Sequence, residues 1–258
     1  MPSEARSQSY WRDSRAPRHS LLFALPLLAL YELLAFALTR TELSQIRSGA
    51  DVLLKTVFVA TGGSYGPSLF IALLGAVGIA LVWRDRRANG PIRTRIFGGM
   101  LLESVLYASL LGGVASGLTS LLLHGRLAWA LPQPGGATGF AELGLPSQLM
   151  VSLGAGIYEE LLFRVLLVSG LMLAARAVLG LGNLGAGVLA AVLGAIGFSL
   201  FHYVGPLGDE FTLGSFTFRA VAGLLFSALY LLRGFGITAW SHALYDVFLA
   251  FLGGQGNG

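Results

Sequence analysis

The chain has 258 residues, of which 12% are charged and 55% are hydrophobic, and its formal net charge is +4. An average soluble domain has about 25% charged residues, so this composition excludes a soluble enzyme, a disordered chain and a conventional nucleic-acid-binding protein. The 36 glycines suit membrane helices, in which glycine is more frequent than in soluble helices. Because the sequence has no cysteine, it also excludes disulfides, thiol catalysis and Cys-ligated metal sites. The composition predicts an all-α polytopic membrane protein.

The apolar runs predict about seven transmembrane helices in a single bundle, because a bilayer core about 30 Å thick needs ~20 mainly apolar residues in a helix. The predicted spans are 21–38, 67–83, 98–123, 147–175, 184–204, 216–232 and 235–252. The stretch 50–60 is too short to cross and is expected to lie in the interface. The long fourth span could be broken or re-entrant. We therefore expect one integral-membrane domain over 21–252, preceded by a basic tail over 1–20.

The distribution of arginine predicts the orientation, since cytoplasmic loops are enriched in Lys and Arg. Four arginines precede the first apolar run and five lie in 84–96, whereas the loops 124–146 and 203–215 carry Arg126 alone. The first run contains Glu32 and lacks a cleavage site of small residues, which favours a retained span over a secretory signal peptide. We expect a multi-pass protein of the inner (cytoplasmic) membrane, with its N-terminus in the cytoplasm and its C-terminus outside.

Ionisable side chains inside the spans are the candidate functional residues, since each costs about 2.5–3.5 kcal/mol at the centre of an inserted helix. They are Glu32, Glu103, Glu159, Glu160, Arg164, His202, His242 and Asp246. Glu160 and Arg164 are four residues apart, so they share a helix face and can form an ion pair. That pair leaves Glu159 as an extra buried carboxylate, which we expect to face a wet cavity.

Two further pairs of residues lie one helical turn apart. Phe198 and His202 share one face of the fifth span, and His242 and Asp246 share one face of the last. Each pair alone is weak, because a lone His near a helix end is usually an interfacial or packed residue, and a His–Asp pair can simply link helices. Together with Glu159 they supply a Glu, two His and an Asp from three spans, and this combination predicts a catalytic site.

Such groups can hydrolyse a peptide bond inside the membrane in two ways. A carboxylate beside an imidazole can take a proton from water and give it to the leaving amine, while a second imidazole stabilises the developing oxyanion. Alternatively, Glu159, His202 and His242 could bind one metal ion that lowers the pKa of its bound water. Neither route requires Ser or Cys as nucleophile, and the residues alone leave both open.

Three motifs in order resemble those of the CAAX protease and bacteriocin-processing (CPBP, or Abi) family of intramembrane proteases. The family pattern is E-E-x-x-x-R, F-x-x-x-H and H-x-x-x-(N/D), each on a different membrane helix. Here the pattern reads Glu159-Glu160-x-x-x-Arg164, Phe198-x-x-x-His202 and His242-x-x-x-Asp246. The resemblance covers roughly the core 147–250, and the first three spans carry no signature.

The resemblance implies that Glu159 activates water together with His202, and that His242 and Asp246 form the oxyanion side. The structural or orienting residues that it implies are Glu160, which pairs with Arg164, and Phe198. Members are described as glutamic-type proteases, which implies an intramembrane endopeptidase without a cofactor. Zinc held by Glu159, His202 and His242 is the alternative.

Asp246 is where the chain departs from the prenyl-protein endopeptidases, which usually carry Asn at this position. An ionised Asp accepts hydrogen bonds and cannot donate one to an oxyanion. Asp246 could therefore be protonated, orient His242 or help to bind a cation. This departure keeps the zinc alternative open, and we favour the metal-free route.

The expected partners are the lipid bilayer and a membrane-anchored protein or peptide substrate, and not nucleic acid. The predicted orientation places His202 near the extracytoplasmic face. That position suits the trimming of membrane-anchored tails of exported proteins, as in the myxosortase-like branch, which removes C-terminal sorting helices.

Two other classes of protein compete with this interpretation. A rhomboid-type serine protease would use Ser199 and His242, but no small residue follows the serine and the carboxylates would have no role. A non-catalytic binding, immunity or transport protein could also carry intramembrane charges. Transporters often show inverted repeats, and this sequence shows none.

Overall fold

The computed structural model describes residues 10–38, 49–125, 143–204 and 208–253, and every regular element within these ranges is helical. The helices are α1 (Pro17–Leu38), α2 (Gly49–Gly62), α3 (Gly66–Asn89), α4 (Arg95–His124), α5 (Leu145–Leu179), α6 (Asn183–Phe201), α7 (Leu213–Arg233) and α8 (Phe235–Gly253). A short helical segment over 10–15 precedes α1. The predicted all-α architecture is confirmed.

The helices that can cross a membrane agree closely with the predicted spans. Within the described residues, six helices are long and apolar enough to do so, namely α1 and α3 to α7. Helix α8 has 19 residues, as many as α6, and we treat it as the seventh span. Helix α2 has only 14 residues, too few to cross, as expected for the stretch 50–60.

Helix α8 lies at the centre of the bundle and contacts α1, α4, α5 and α7. Its crossing with α5 is very close. A Cβ added at Gly156 would lie 2.5 Å from the Cβ of Ala243 and 2.6 Å from the carbonyl oxygen of Ala239. Small residues of this kind let membrane helices approach closely. This crossing brings the middle of α5, with its two glutamates, beside the middle of α8, with His242.

The middle of α5 is wound more widely than an α-helix. Ala155–Glu159 and Leu161–Val168 are π-helical. The sequence allowed this span to be broken or re-entrant, and the structure shows a continuous helix with altered winding instead. Such π-helical turns are rare and occur frequently at functional sites.

One end of the bundle is held together around Glu103. Arg233, at the end of α7, forms two contacts with the Glu103 carboxylate, of 2.6 and 2.7 Å, and also donates to the Trp11 carbonyl. Tyr10 and Tyr107 donate to the same carboxylate. Burial and the Glu103 carboxylate raise the pKa of Tyr10, so its hydroxyl remains a donor. Glu103 therefore joins the N-terminal segment to α4 and α7.

The arginine-rich segments meet at this same end. Asp13 accepts hydrogen bonds from Arg18, at 3.2 Å, and from Arg93, at 2.9 Å. Arg18 also contacts Asp85, near the end of α3, at 2.9 Å. The tail before α1 and the loop after α3 therefore lie together, as their arginine content predicts for two segments on one side of a membrane.

Candidate active site

Glu160 joins two helices at the centre of the site. Its carboxylate is fully buried, and one oxygen lies 3.1 Å from the Nε atom of Arg164. The other oxygen lies 2.7 Å from the Nδ1 atom of His242. Since an ionised carboxylate only accepts hydrogen bonds, Nδ1 carries the proton and donates it. The expected contact with Arg164 is present, whereas the link from α5 to α8 through His242 was not predicted.

His242 is oriented by Glu160 rather than by Asp246. The Nε2 atom of His242 lies 3.7 Å from a carboxylate oxygen of Asp246, which is too long for a hydrogen bond. The side chain of Asp246 remains 24% exposed, whereas that of Glu160 is fully buried. The Nε2 atom of His242 therefore forms no hydrogen bond with Asp246 and is available to a bound molecule next to that carboxylate.

Arg164 is fully buried between aromatic rings. Its guanidinium carbon lies 4.5 Å from the ring centre of Phe198 and 5.4 Å from that of Phe226, distances at which a cation is attracted to a ring face. Nη2 donates to the carbonyl of Gly223 at 3.3 Å. Nη1 has no hydrogen-bond partner within the described part of the chain. The positive charge of Arg164 is thus stabilised by the Glu160 carboxylate and by the faces of the two rings.

Phe198 contacts both histidines of the site. Its ring centre lies 4.8 Å from that of His202 and 6.2 Å from that of His242, edge-on in both cases. Phe163 of α5 packs against its other side at 5.2 Å. Phe198 therefore packs against the imidazoles of both histidines, and its orienting role stays a prediction.

His202 follows the last residue of α6 and has a defined tautomer. Its Nδ1 atom lies 2.8 Å from the carbonyl oxygen of Phe198. A carbonyl oxygen only accepts, so Nδ1 carries the proton and Nε2 of the neutral ring keeps its lone pair. The backbone after the helix is held as well, because the amide of Asp209 donates to the His202 carbonyl at 2.9 Å and Asp209 is paired with Arg219.

Glu159 differs from its neighbour because its carboxylate is open. It is the last residue of a π-helical turn and is only partly buried. Within the described residues it forms no hydrogen bond or ion pair. Its charge acts on His202, His242 and Asp246. A carboxylate with free lone pairs near an unprotonated imidazole nitrogen is suited to take a proton from water.

Helix α7 contributes two residues that the sequence did not predict. The Phe226 ring stacks on His242, with 4.4 Å between centres and 24° between planes. A Cβ at Gly223 would lie 2.9 Å from the Phe198 ring and 3.1 Å from the Cα of Ala195. Neither residue is ionisable, and phenylalanine and glycine recur in most of the spans, so the sequence offered no signal for them.

The two alternatives to a Glu/His hydrolase can be compared with the geometry. Among the described residues, no group of three or more His, Asp or Glu is arranged to hold a metal ion, so Glu159, His202 and His242 do not form such a group. The choice between metal-free and zinc-dependent hydrolysis stays a prediction. The hydroxyl of Ser199 is buried and donates to the carbonyl of Phe216 at 2.8 Å, which does not suit the nucleophile of a serine protease.

The comparison with protein families supports the motif assignment. Residues 141–248 match a family model described as Rce1-like, a type II CAAX prenyl endopeptidase. The matched segment contains all three motifs, from Glu159 to Asp246. No curated protein and no solved structure matches the chain.

Proposed function

We propose that the protein is an intramembrane endopeptidase, a proposal supported by the match of residues 141–248 to the family model of Rce1-like type II CAAX prenyl endopeptidases. It hydrolyses a peptide bond in or next to a membrane-anchored segment of a protein substrate. The observation that carries this proposal is the contrast between two adjacent carboxylates. Glu160 is buried, forms an ion pair with Arg164 and accepts a hydrogen bond from His242. Glu159 is only partly buried, and its negative charge acts on His202.

The proposed reaction begins with a water molecule between Glu159 and His202. Glu159 takes a proton from the water while Nε2 of His202 accepts a hydrogen bond from it, and the water oxygen attacks the substrate carbonyl. The His242 ring is the doubly protonated imidazolium in this step: its Nε2–H donates to the oxygen that becomes negative, while its Nδ1–H remains on Glu160. The C–N bond then breaks, and the proton taken from water passes to the leaving amine. The products are a carboxylate and a free amine, with one water consumed and no other reactant.

The substrate we propose is the membrane-anchored tail of an exported protein, as in the myxosortase-like branch. Helix α7 begins beyond the loop that follows His202 and ends at Arg233, in the cluster around Glu103. His202 is thus one span away from the arginine-rich end. If that end is cytoplasmic, as the positive-inside rule predicts, the site opens toward the outer half of the inner membrane.

The proposal can be tested in two steps. Membrane proteins from cells that produce the wild-type protein are compared by mass spectrometry with those from cells that produce Glu159→Gln. We expect substrates to keep an additional terminal segment in the variant. A substrate found in this way is then mixed with purified protein in liposomes, where the wild type cleaves it and Glu159→Gln does not. Identical membrane proteomes, or no cleavage by the purified wild type, would contradict the proposed function.

A further inference from the structure

A cluster of polar side chains lies on the other side of α5 from the two histidines. It joins α1, α2 and α5, and we call it the α1–α2 cluster. Its members are Tyr31, Glu32, Asp51, Lys55 and Tyr158. The reaction proposed above uses none of these residues, although Glu32 is one of the costly intramembrane charges that the sequence singles out.

Lys55 is the centre of the charge pairing in this cluster. Its Nζ atom lies 2.7 Å from Asp51 and 3.0 Å from Glu32, and 5.3 Å from the ring centre of Tyr158. The Asp51 side chain is fully buried, and that of Lys55 is 10% exposed. Burying charges is favourable only when each is paired and hydrogen-bonded, and here the pairs fix α2 against α1 and α5.

Tyr158 connects this cluster to the catalytic turn. Its side chain is fully buried, and its hydroxyl donates to the same Glu32 oxygen that pairs with Lys55. Its ring packs edge-on against Tyr31, with centres 5.1 Å apart. Tyr158 is the residue before Glu159 within the π-helical turn Ala155–Glu159. Its fixed side chain therefore sets the rotation of the turn that carries the open carboxylate.

A π-helical turn needs such an anchor more than a regular turn does. Its backbone bonds run from i to i+5 and are rare in proteins, so neighbouring contacts must hold it. Gly156 fixes the distance from this turn to α8. The hydrogen bond from Tyr158 to Glu32 fixes the opposite side of the turn, which faces α1.

We propose that Glu32 and Tyr158 are positioning residues that hold the π-helical turn of α5 so that Glu159 faces His202. This inference rests on the proposed hydrolytic function. It assigns a role in catalysis to α1 and α2, which lie outside the segment that matches the protease family. Neither residue touches the reacting atoms, and both act through the orientation of Glu159.

The first test is Tyr158→Phe, which removes the hydroxyl but keeps the ring beside Lys55 and Tyr31. A misplacement of about 1 Å can cost ~10²-fold in rate, so we expect kcat to fall by roughly tenfold, with KM changed by less than about twofold. The matched control is Tyr107→Phe, which removes the same kind of bond, from a tyrosine to Glu103, at the arginine-rich end. Its kcat should stay at the wild-type value.

A second set of variants separates positioning from general destabilisation. Glu32→Ala should lower kcat at least as much as Tyr158→Phe, because it removes the contact with Lys55 as well as the bond from Tyr158. The double variant should be no worse than Glu32→Ala, because the bond from Tyr158 is already lost there. Glu32→Gln keeps an acceptor oxygen and should restore most of the rate. In a Glu159→Gln background, Tyr158→Phe should cause no further loss.

The outcomes distinguish this inference from the proposed function. Full activity of Glu159→Gln would overturn the proposed function itself. If Glu159→Gln is inactive while Tyr158→Phe keeps the wild-type kcat, only the positioning role is wrong. Additive losses in the double variant, or an equal loss in Tyr107→Phe, would also reject it. Should Tyr158→Phe fail to insert, Glu32→Ala against Glu32→Gln makes the same comparison without changing a ring.

Discussion

Two glutamates that are adjacent in the sequence have opposite environments in the bundle. Glu160 neutralises Arg164 and fixes the tautomer of His242. Glu159 has no partner among the described residues and is partly exposed. A carboxylate whose charge is already stabilised by a buried arginine and a histidine donor is a poor base. The environment, and not the residue type, therefore decides which glutamate can accept a proton from water.

Glu159→Gln should lower hydrolysis by at least ~10²-fold, as expected when a general base is lost. Thermal unfolding in detergent should stay at the wild-type temperature, because no described contact is removed. The measurement is cleavage of an identified substrate in liposomes, with unfolding followed in parallel. Full-rate hydrolysis by a correctly inserted variant would rule out Glu159 as the base.

Glu160→Gln should act mainly on stability. It leaves Arg164 buried without its counter-charge and weakens the bond to His242, and breaking a buried pair costs about 3–5 kcal/mol. We expect a lower unfolding temperature and a lower yield, together with reduced activity. If the variant folds as well as the wild type yet does not turn over, the roles of Glu159 and Glu160 are reversed.

Asp246→Asn should remain active. The 3.7 Å separation from His242 shows that Asp246 makes no short bond to that ring, and an amide can donate to an oxyanion without needing a proton. Asp246→Ala removes the polar group and should be strongly impaired. Cleavage should also survive extensive chelation. Loss of activity in Asp246→Asn that added zinc restores would instead favour a metal-dependent hydrolase.

At the scale of helices, the site depends on how closely α5 can approach α8. Gly156→Ala should be strongly destabilising, because its Cβ would lie 2.5 Å from the Cβ of Ala243 and overpacking typically costs about 1–3 kcal/mol. The control is Gly170→Ala on the same helix, where a Cβ meets nothing within 4 Å. Both are compared by unfolding temperature and by activity. Equal behaviour of the two variants would show that the crossing can relax.

The sequence predicts those helices of the candidate site that carry ionisable side chains. Helices α5, α6 and α8 were recognised because ionisable groups at helical spacing are costly in a membrane. The ring of Phe226 and the carbonyl of Gly223 could not be predicted, because they enter the site through the packing of α7. The winding of α5 was not predicted either, since π-helical turns have no simple sequence pattern.

The partners of Glu32 and Glu103 could not be predicted from the sequence either. Both were identified in the sequence as ionisable side chains inside predicted spans, where a charge is costly unless it is paired. Their partners are Lys55, on a helix too short to cross, and Arg233, 130 residues away from Glu103. Sequence spacing identifies partners only within one helix, so contacts between helices needed the structure.

For the whole molecule, the arginine-rich end should face the cytoplasm. The chain has no cysteine, so single cysteines can be labelled without background. Thr94 and Phe211 are both exposed. Thr94 precedes α4 at the arginine-rich end of the bundle, and Phe211 precedes α7 at the other end. A membrane-impermeant maleimide added to intact cells, with the outer membrane opened where there is one, should label Phe211→Cys. Thr94→Cys should react only after the inner membrane is opened. The reverse pattern would invert the topology and remove the case for exported substrates.

The central place of α8 has a consequence for how the protein is made. This helix contacts α1, α4, α5 and α7, yet it follows all of them in the chain and leaves the ribosome after them. The packing around α8 and the bond between Glu160 and His242 can therefore form only after all the other spans have been made. The proposed hydrolysis, which uses His242 and Asp246, would then require translation past Asp246, and the nascent chain would lack this activity during its own insertion.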